Sequence, residues 1–110
     1  MVFQHKDLAA GRWHKLSLAE QLGNIGSEVG RALQWKERGD EKLFWGAVYR
    51  ALELFDLTMA DFRWRGRLRE IARAREVFCD AVYGGKLYNS SLQDLTRYFD
   101  YFAFAARRGL

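Results

Sequence analysis

The sequence contains no proline, one cysteine and two histidines among its 110 residues. Because Cys79 has no second cysteine to pair with, a disulfide scaffold is excluded. A structural zinc site needs four ligands of the Cys or His type, and three such residues are too few. No run of about 18 uninterrupted apolar residues is present, as a membrane-spanning helix requires. The first residues lack the apolar centre of a signal peptide, so we expect a cytoplasmic protein.

The chain is nevertheless rich in the groups that build a core. Hydrophobic residues make up 49% of the sequence and aromatic residues 15%. Disordered segments lack such large apolar side chains, whose burial offsets the entropy lost on ordering. The length fits one domain with one modest core. We therefore predict a single folded domain.

Apolar residues recur at three- and four-residue spacing in four stretches, which is typical of amphipathic helices. The first predicted helix begins at Ser17, which forms a capping box with Glu20, and ends at Gly39, where a left-handed cap is expected. Asp40 caps the second helix, which extends to Met59. These two helices are expected to follow each other with a very short loop.

Two more helices are predicted after a connector over residues 61–66. The third ends at Gly84 and Gly85, and the fourth begins at Ser90 or Ser91. The side chains of the third helix expected to face the core are Leu68, Ile71, Ala72, Phe78, Cys79 and Val82. Cys79 is therefore expected to be an inert core residue.

Four helices of similar length joined by short loops favour one architecture. We predict an all-α fold, a single antiparallel up-and-down four-helix bundle over residues 17–110. Residues 1–16 are predicted to form a partly ordered N-terminal arm.

Three glycines lie inside the first helix: Gly23, Gly26 and Gly30. Each costs about 1 kcal/mol relative to alanine, so a compensating contact is expected. Gly26 and Gly30 are four residues apart and share a face that another backbone can approach closely. Two interpretations remain open: tight packing against another helix of the bundle, or docking of a second chain.

Residues 63–75, here named the cationic segment, contain six arginines and one glutamate. This concentration of charge suits contact with phosphates, and Trp64 offers a stacking surface for an unpaired base. The formal net charge of +4 agrees with such a role. In the alternative interpretation the segment is a solvated face whose arginines pair with Glu70 and Glu76. The predicted nucleic-acid-binding residues are Arg63, Trp64, Arg65, Arg67, Arg69 and Arg73.

Large aromatic residues lie toward the edges of the apolar stripes of several helices. Such an excess of aromatic surface is common where another subunit packs, so we expect a homo-oligomer. The alternative is that these residues fill a small bundle. With the three glycines, the predicted interface residues are Trp35, Trp45, Tyr49, Tyr98 and Tyr101.

No pattern in the sequence indicates catalysis. A di-iron bundle needs Glu-x-x-His on two helices, whereas both histidines, His5 and His14, precede the first helix. No glycine-rich phosphate loop follows a strand. We expect a protein that is not an enzyme and that binds no metal or cofactor.

Two segments carry a resemblance to known proteins, WHKLSLAEQLGNIGSEV at positions 13–29 and RALELFDLT at positions 50–58. They resemble a family of small, mostly uncharacterised bacterial proteins, and the resemblance covers nearly the whole chain. The architecture is similar to that of the accessory bundles of diversity-generating retroelements and of the intervening-sequence proteins of large ribosomal RNA. This resemblance implies a basic, ring-forming and non-catalytic partner of reverse transcriptase and RNA, with no catalytic residues to transfer.

Two functional hypotheses follow. The first is a non-catalytic adaptor that binds nucleic acid, RNA rather than DNA, or a reverse-transcriptase-type protein, through the cationic segment. The second is a protein–protein interaction module that forms a homo-oligomer without binding nucleic acid. Neither involves a membrane.

Overall fold

The structure, a computed structural model, describes residues 11–84 and 91–107. The α-helices are α1 (Leu18–Arg38), α2 (Glu41–Met59), α3 (Leu68–Val82) and α4 (Leu92–Arg107). Two short 3-10 helices, Arg12–Lys15 and Phe62–Arg67, precede α1 and α3. The described ranges contain no strand, and the predicted all-α four-helix fold is confirmed. None of these helices combines the length and apolar character needed to cross a bilayer.

The predicted signals at both ends of α1 and at the start of α2 are all present. The Ser17 hydroxyl accepts a hydrogen bond from the Glu20 nitrogen at 3.1 Å, and the Ser17 nitrogen donates to Glu20 Oε1 at 2.9 Å. Gly39 ends α1 with φ of 74°, a conformation that glycine adopts without strain. Asp40 Oδ1 then accepts from the Leu43 nitrogen at 3.0 Å. One residue therefore ends α1 and the next one begins α2.

The start of α4 was predicted with two alternatives. Ser91 precedes Leu92, the first residue of α4, and its hydroxyl accepts from the Asp94 nitrogen at 3.1 Å. Ser91 is therefore the capping residue. Ser90 and Gly85 lie outside the described residues.

The core lies between all four helices. Helix α1 packs most extensively against α2 and α4, and α3 contacts α2 and α4. The rings of Phe78 on α3 and Phe99 on α4 each lie 5.9 Å from the ring of Phe55 on α2. These three fully buried rings connect α2, α3 and α4.

The predicted inner face of α3 was partly wrong. Ile71 and Phe78 are buried as expected, but Ala74 and Ala81 complete the buried face. Leu68 is 42% exposed, and Cys79 is partly exposed rather than fully in the core. The four buried residues of α3 follow one another at spacings of three, four and three residues, and alanines occupy two of these positions. The prediction instead followed the larger side chains. Ala72 and Val82 are likewise at the boundary of the core.

The segment assigned to the arm also contributes to the core. Trp13, in the 3-10 turn before α1, is fully buried. Its Nε1 donates a hydrogen bond to Thr58 Oγ1, near the end of α2, at 3.0 Å. Residues 1–10 lie outside the described part of the chain.

Candidate nucleic-acid interface

The connector between α2 and α3 is fixed to the bundle by Asp61, a carboxylate that is only 4% exposed. Its Oδ1 accepts hydrogen bonds from the backbone nitrogen and the Nε of Arg63, both at 3.1 Å. Its Oδ2 accepts from Arg63 Nη2 at 2.7 Å and from Gln21 Nε2 at 3.0 Å. His14 Nδ1 lies 3.2 Å from the same oxygen. Asp61 therefore joins the turn before α1, helix α1 and the connector.

Arg63, the first arginine of the cationic segment, is committed to contacts within the chain. In addition to Asp61, it contacts the carbonyl oxygen of Leu16, to which Nη2 donates at 2.7 Å. The hydrogen bonds from Arg63 hold the pKa of Asp61 well below its usual range, and Asp61 raises the pKa of Arg63. A phosphate would have to compete with Asp61 for this guanidinium group, so the first role of Arg63 is to anchor the connector.

Trp64, predicted as the stacking surface, is also held by the bundle. Its Nε1 donates to Gln21 Oε1 at 3.0 Å, and its ring packs against the core. The guanidinium carbon of Arg63 lies 4.5 Å from the centre of the ring. One face of the indole is therefore covered by Arg63 within the chain.

Sequence reasoning missed Gln21, although its amide links three segments. Besides Trp64 and Asp61, it contacts Trp13, to whose carbonyl oxygen Nε2 donates at 2.9 Å. The signal that could have identified Gln21 is its position, three residues after Leu18, on the apolar stripe of α1. A polar residue at such a position is hydrogen-bonded when it is buried, as Gln21 is.

Two further arginines of the cationic segment form ion pairs. Arg67 Nε and Nη2 donate to the two carboxylate oxygens of Glu70 at 2.9 and 3.0 Å. This pair lowers the pKa of Glu70 and raises that of Arg67, in both cases through the hydrogen bonds first. Arg75 Nε lies 3.1 Å from Asp56 Oδ1 and so links α3 to α2. Part of the positive charge is therefore neutralised by acids, one of which, Asp56, precedes the segment.

Arg65 and Arg69 differ from Arg63, Arg67 and Arg75, which form ion pairs. Both are exposed, and neither forms an ion pair with any residue in the described ranges. Arg65 lies in the 3-10 connector, where its guanidinium carbon is 5.9 Å from the centre of the Phe62 ring. Phe62 is 81% exposed, the highest value among the exposed large hydrophobic residues of the described chain. The exposed positive charge of the segment is thus next to an exposed aromatic ring.

Arg73, also exposed, lies four residues after Arg69 on α3 and borders a groove between α3 and α4. The groove encloses about 310 Å³. Burial raises the pKa of the Tyr98 phenol at its edge. The residues lining the groove are Glu70, Arg73, Ala74, Val77, Asp94, Leu95 and Tyr98. Arg73 thus shares the edge of this groove with two acids, Glu70 and Asp94.

The structure separates the three glycines of α1. A Cβ atom at Gly26 would lie 2.4 Å from the Cβ of Phe99, so α4 approaches α1 closely at this point. A Cβ atom at Gly30 would have no atom within 4 Å, and Gly23 is half-buried. At Gly26 the close contact is thus made within the chain.

The aromatic residues predicted at an interface fall into two groups. Trp35 and Trp45 line one cavity where α1 meets α2, and the Trp45 ring lies 6.0 Å from that of Tyr49. Tyr98 and Tyr101 lie on α4 and are 41% and 67% exposed. Trp35 and Trp45 pack against the core, whereas the three tyrosines present more of their surface to solvent.

Glu28 on α1 is, like Asp61, a buried carboxylate whose burial the sequence did not predict. Glu28 Oε1 accepts from Arg31 Nη1 at 2.8 Å, and its Oε2 accepts from Arg50 Nε at 3.1 Å. This acid joins α1 to α2 and is satisfied by both cations. No group of three metal-binding side chains occurs among the described residues.

Comparisons with known proteins give no match: no family model, no curated protein and no solved structure is similar to this chain at a significant level.

Proposed function

We propose that this protein is a non-catalytic helical adaptor that binds nucleic acid, RNA in particular, through the cationic segment. The observation that carries the proposal is the pair of exposed arginines, Arg65 and Arg69, which have no acidic partner among the described residues. Such groups neutralise phosphates and release counterions. Arg73, four residues after Arg69 on α3, borders the groove between α3 and α4 together with Glu70 and Asp94.

The connector supports this role because hydrogen bonds tie it to the bundle. Asp61 accepts from the Arg63 nitrogen and Gln21 accepts from the Trp64 side chain, so the backbone that carries Arg65 is held in place. A surface that is already ordered loses less entropy on binding than a flexible loop does.

The charge that remains unpaired indicates a modest affinity. Arg63, Arg67 and Arg75 form ion pairs, so we assign phosphate contacts first to Arg65 and Arg69. For single strands, each phosphate contact contributes about −0.7 to the slope of log K against log salt. Two contacts give a slope of about −1.4. Binding at physiological salt then depends on additional contacts, such as those of an RNA-handling protein partner.

The test is binding of a fluorescent single-stranded RNA across a salt series. The variant Arg65→Gln/Arg69→Gln should lose most of the affinity and most of the slope. The matched control is Lys36→Gln/Lys42→Gln, which removes the same charge where α1 ends and α2 begins, away from the connector, and should keep both the affinity and the slope. A flat salt response of the unmodified protein contradicts the proposal. Equal losses in the two double variants contradict the assignment to Arg65 and Arg69.

A protein–protein interaction module that forms a homo-oligomer is the second candidate. The observation that favours it is the exposed aromatic surface of α4, where Tyr98, Tyr101 and Phe104 follow each other at three-residue spacing and are 41%, 67% and 50% exposed. Aromatic residues are enriched in the cores of protein interfaces.

A further inference from the structure

Phe62 presents a large apolar surface to solvent at a fixed position. Its side chain is 81% exposed, although it follows the buried Asp61 directly. The Trp64 nitrogen donates to the Asp61 carbonyl oxygen at 3.1 Å, which closes the turn around Phe62. The residues on either side are thus anchored, and the phenyl ring is the part of this turn that faces outward.

The surroundings of Phe62 are cationic. The guanidinium carbon of Arg65 lies 5.9 Å from the ring centre, within the range of a cation–π contact. Arg63, the residue that follows Phe62, is neutralised by Asp61. The ring is therefore next to one cation that is available to a phosphate.

Trp64 is less suited to receive a base than the sequence predicts. Its Nε1 is bonded to Gln21 and one of its faces is covered by Arg63. Phe62 has no hydrogen-bonding group to satisfy, and its side chain stays 81% exposed even though Arg65 lies 5.9 Å from its ring centre, whereas Trp64 is half-buried. A base that stacks here needs no rearrangement of the connector.

We infer that Phe62 is a stacking platform for one unpaired nucleobase of a single-stranded RNA, with Arg65 on the adjacent phosphate. The inference rests on the proposed function and specifies its substrate, since duplex RNA keeps its bases stacked on one another and offers no free face. Stacking on an aromatic side chain accepts any base, so sequence preference is expected to be weak.

The experiment compares the unmodified protein with Phe62→Leu, which keeps an apolar side chain and removes the aromatic face. The probes are a fluorescent oligouridine and a duplex RNA of the same length. Phe62→Leu should weaken binding of oligouridine about tenfold and leave the slope against salt and the duplex affinity unchanged. Phe62→Trp should restore or exceed the original affinity. An oligouridine containing 5-iodouridine should form a photo-crosslink to position 62, identified by mass spectrometry.

The outcomes separate the two proposals. If the unmodified protein binds oligouridine with the expected salt dependence and Phe62→Leu binds equally well, the stacking inference is overturned and the proposed function stands. If the unmodified protein binds no RNA at any salt concentration, both are overturned. Because Phe62 is exposed, Phe62→Leu should keep its helical circular dichroism and its melting temperature.

Discussion

Asp61 is the residue on which the local order of the connector depends most. Its two oxygens accept from Arg63 and Gln21, and its burial leaves little access for water to replace them. The carboxylate is ionised in the folded protein because Arg63 lowers its pKa. Removing its charge should therefore affect stability and its pH dependence together.

We expect Asp61→Asn to lower the free energy of unfolding by about 2 kcal/mol, the range for hydrogen bonds to charged groups. In asparagine an NH₂ group replaces one of the two carboxylate oxygens, and each of these oxygens accepts hydrogen bonds from two donors in the folded protein. The matched control is Asp56→Asn, because Asp56 also pairs with one arginine but is 53% exposed. Its loss should be below about 0.5 kcal/mol. Urea unfolding measures the free energy of both variants. Equal losses would contradict the expectation that the buried Asp61 contributes more to stability than the exposed Asp56.

The same variants give a pH dependence with a definite sign. The pKa of Asp61 is lower in the folded protein than in the unfolded chain, where it is about 3.9. Below about pH 4 the unfolded chain therefore binds more protons, and the free energy of unfolding falls as the pH falls. Asp61→Asn should lack this part of the acid destabilisation, whereas Asp56→Asn should retain it.

At the scale of elements, the helix ends were predictable because their signals are local. The capping box of Ser17 and Glu20 and the left-handed Gly39 involve residues at most a few positions apart. The polar cluster around Gln21 was not predictable, because its bonds to Asp61 and Trp64 connect residues 40 and 43 positions apart. Apolar periodicity identifies a buried face but does not indicate which distant donor meets a buried acceptor. The face of α3 was missed for a different reason, because the prediction favoured large side chains such as Leu68 over the alanines that continue the helical spacing.

Substitution by alanine should change stability in opposite directions at Gly26 and Gly30, the two glycines that share a face of α1. At Gly26 the added Cβ would meet Phe99 at 2.4 Å, and the cost of overpacking, about 1–3 kcal/mol, exceeds the gain in helix propensity of about 1 kcal/mol. At Gly30 the space is open, so Gly30→Ala should stabilise by about 0.5–1 kcal/mol. The midpoint of urea unfolding measures both. A stabilising Gly26→Ala would contradict the close contact between α1 and α4.

At the scale of the whole molecule, the cationic segment is less positive than its sequence indicates. Its own Glu70 neutralises Arg67, and Asp56 and Asp61 come from α2 and the start of the connector. Glu70 was predicted as a partner of the arginines but the two aspartates were not, because pairing with them depends on how α2, the connector and α3 are arranged. The cationic segment could thus be recognised from the sequence, while the ion pairs of its individual arginines could not be assigned.

Assembly is tested most directly on α4. If the protein forms a homo-oligomer through the exposed aromatic residues of this helix, Tyr101→Lys should lower the sedimentation coefficient to that of a monomer. Tyr83→Lys is the matched control, since Tyr83 is also 67% exposed but lies next to Trp45 at the end of α3. Unchanged sedimentation of Tyr101→Lys, or a monomer before any substitution, contradicts assembly through this surface.

The bond between Trp13 and Thr58 has a consequence for the order of folding. It closes a loop of 45 residues, and the entropic cost of closing a loop rises with its length. Helices α1 and α2 can associate through their short connection at lower cost, so we expect the indole to dock onto a pair of helices that has already formed. We expect the N-terminal turn to attach late during refolding and to detach early during unfolding, so that the indole proton exchanges with deuterium faster than the amide protons in the middle of α2.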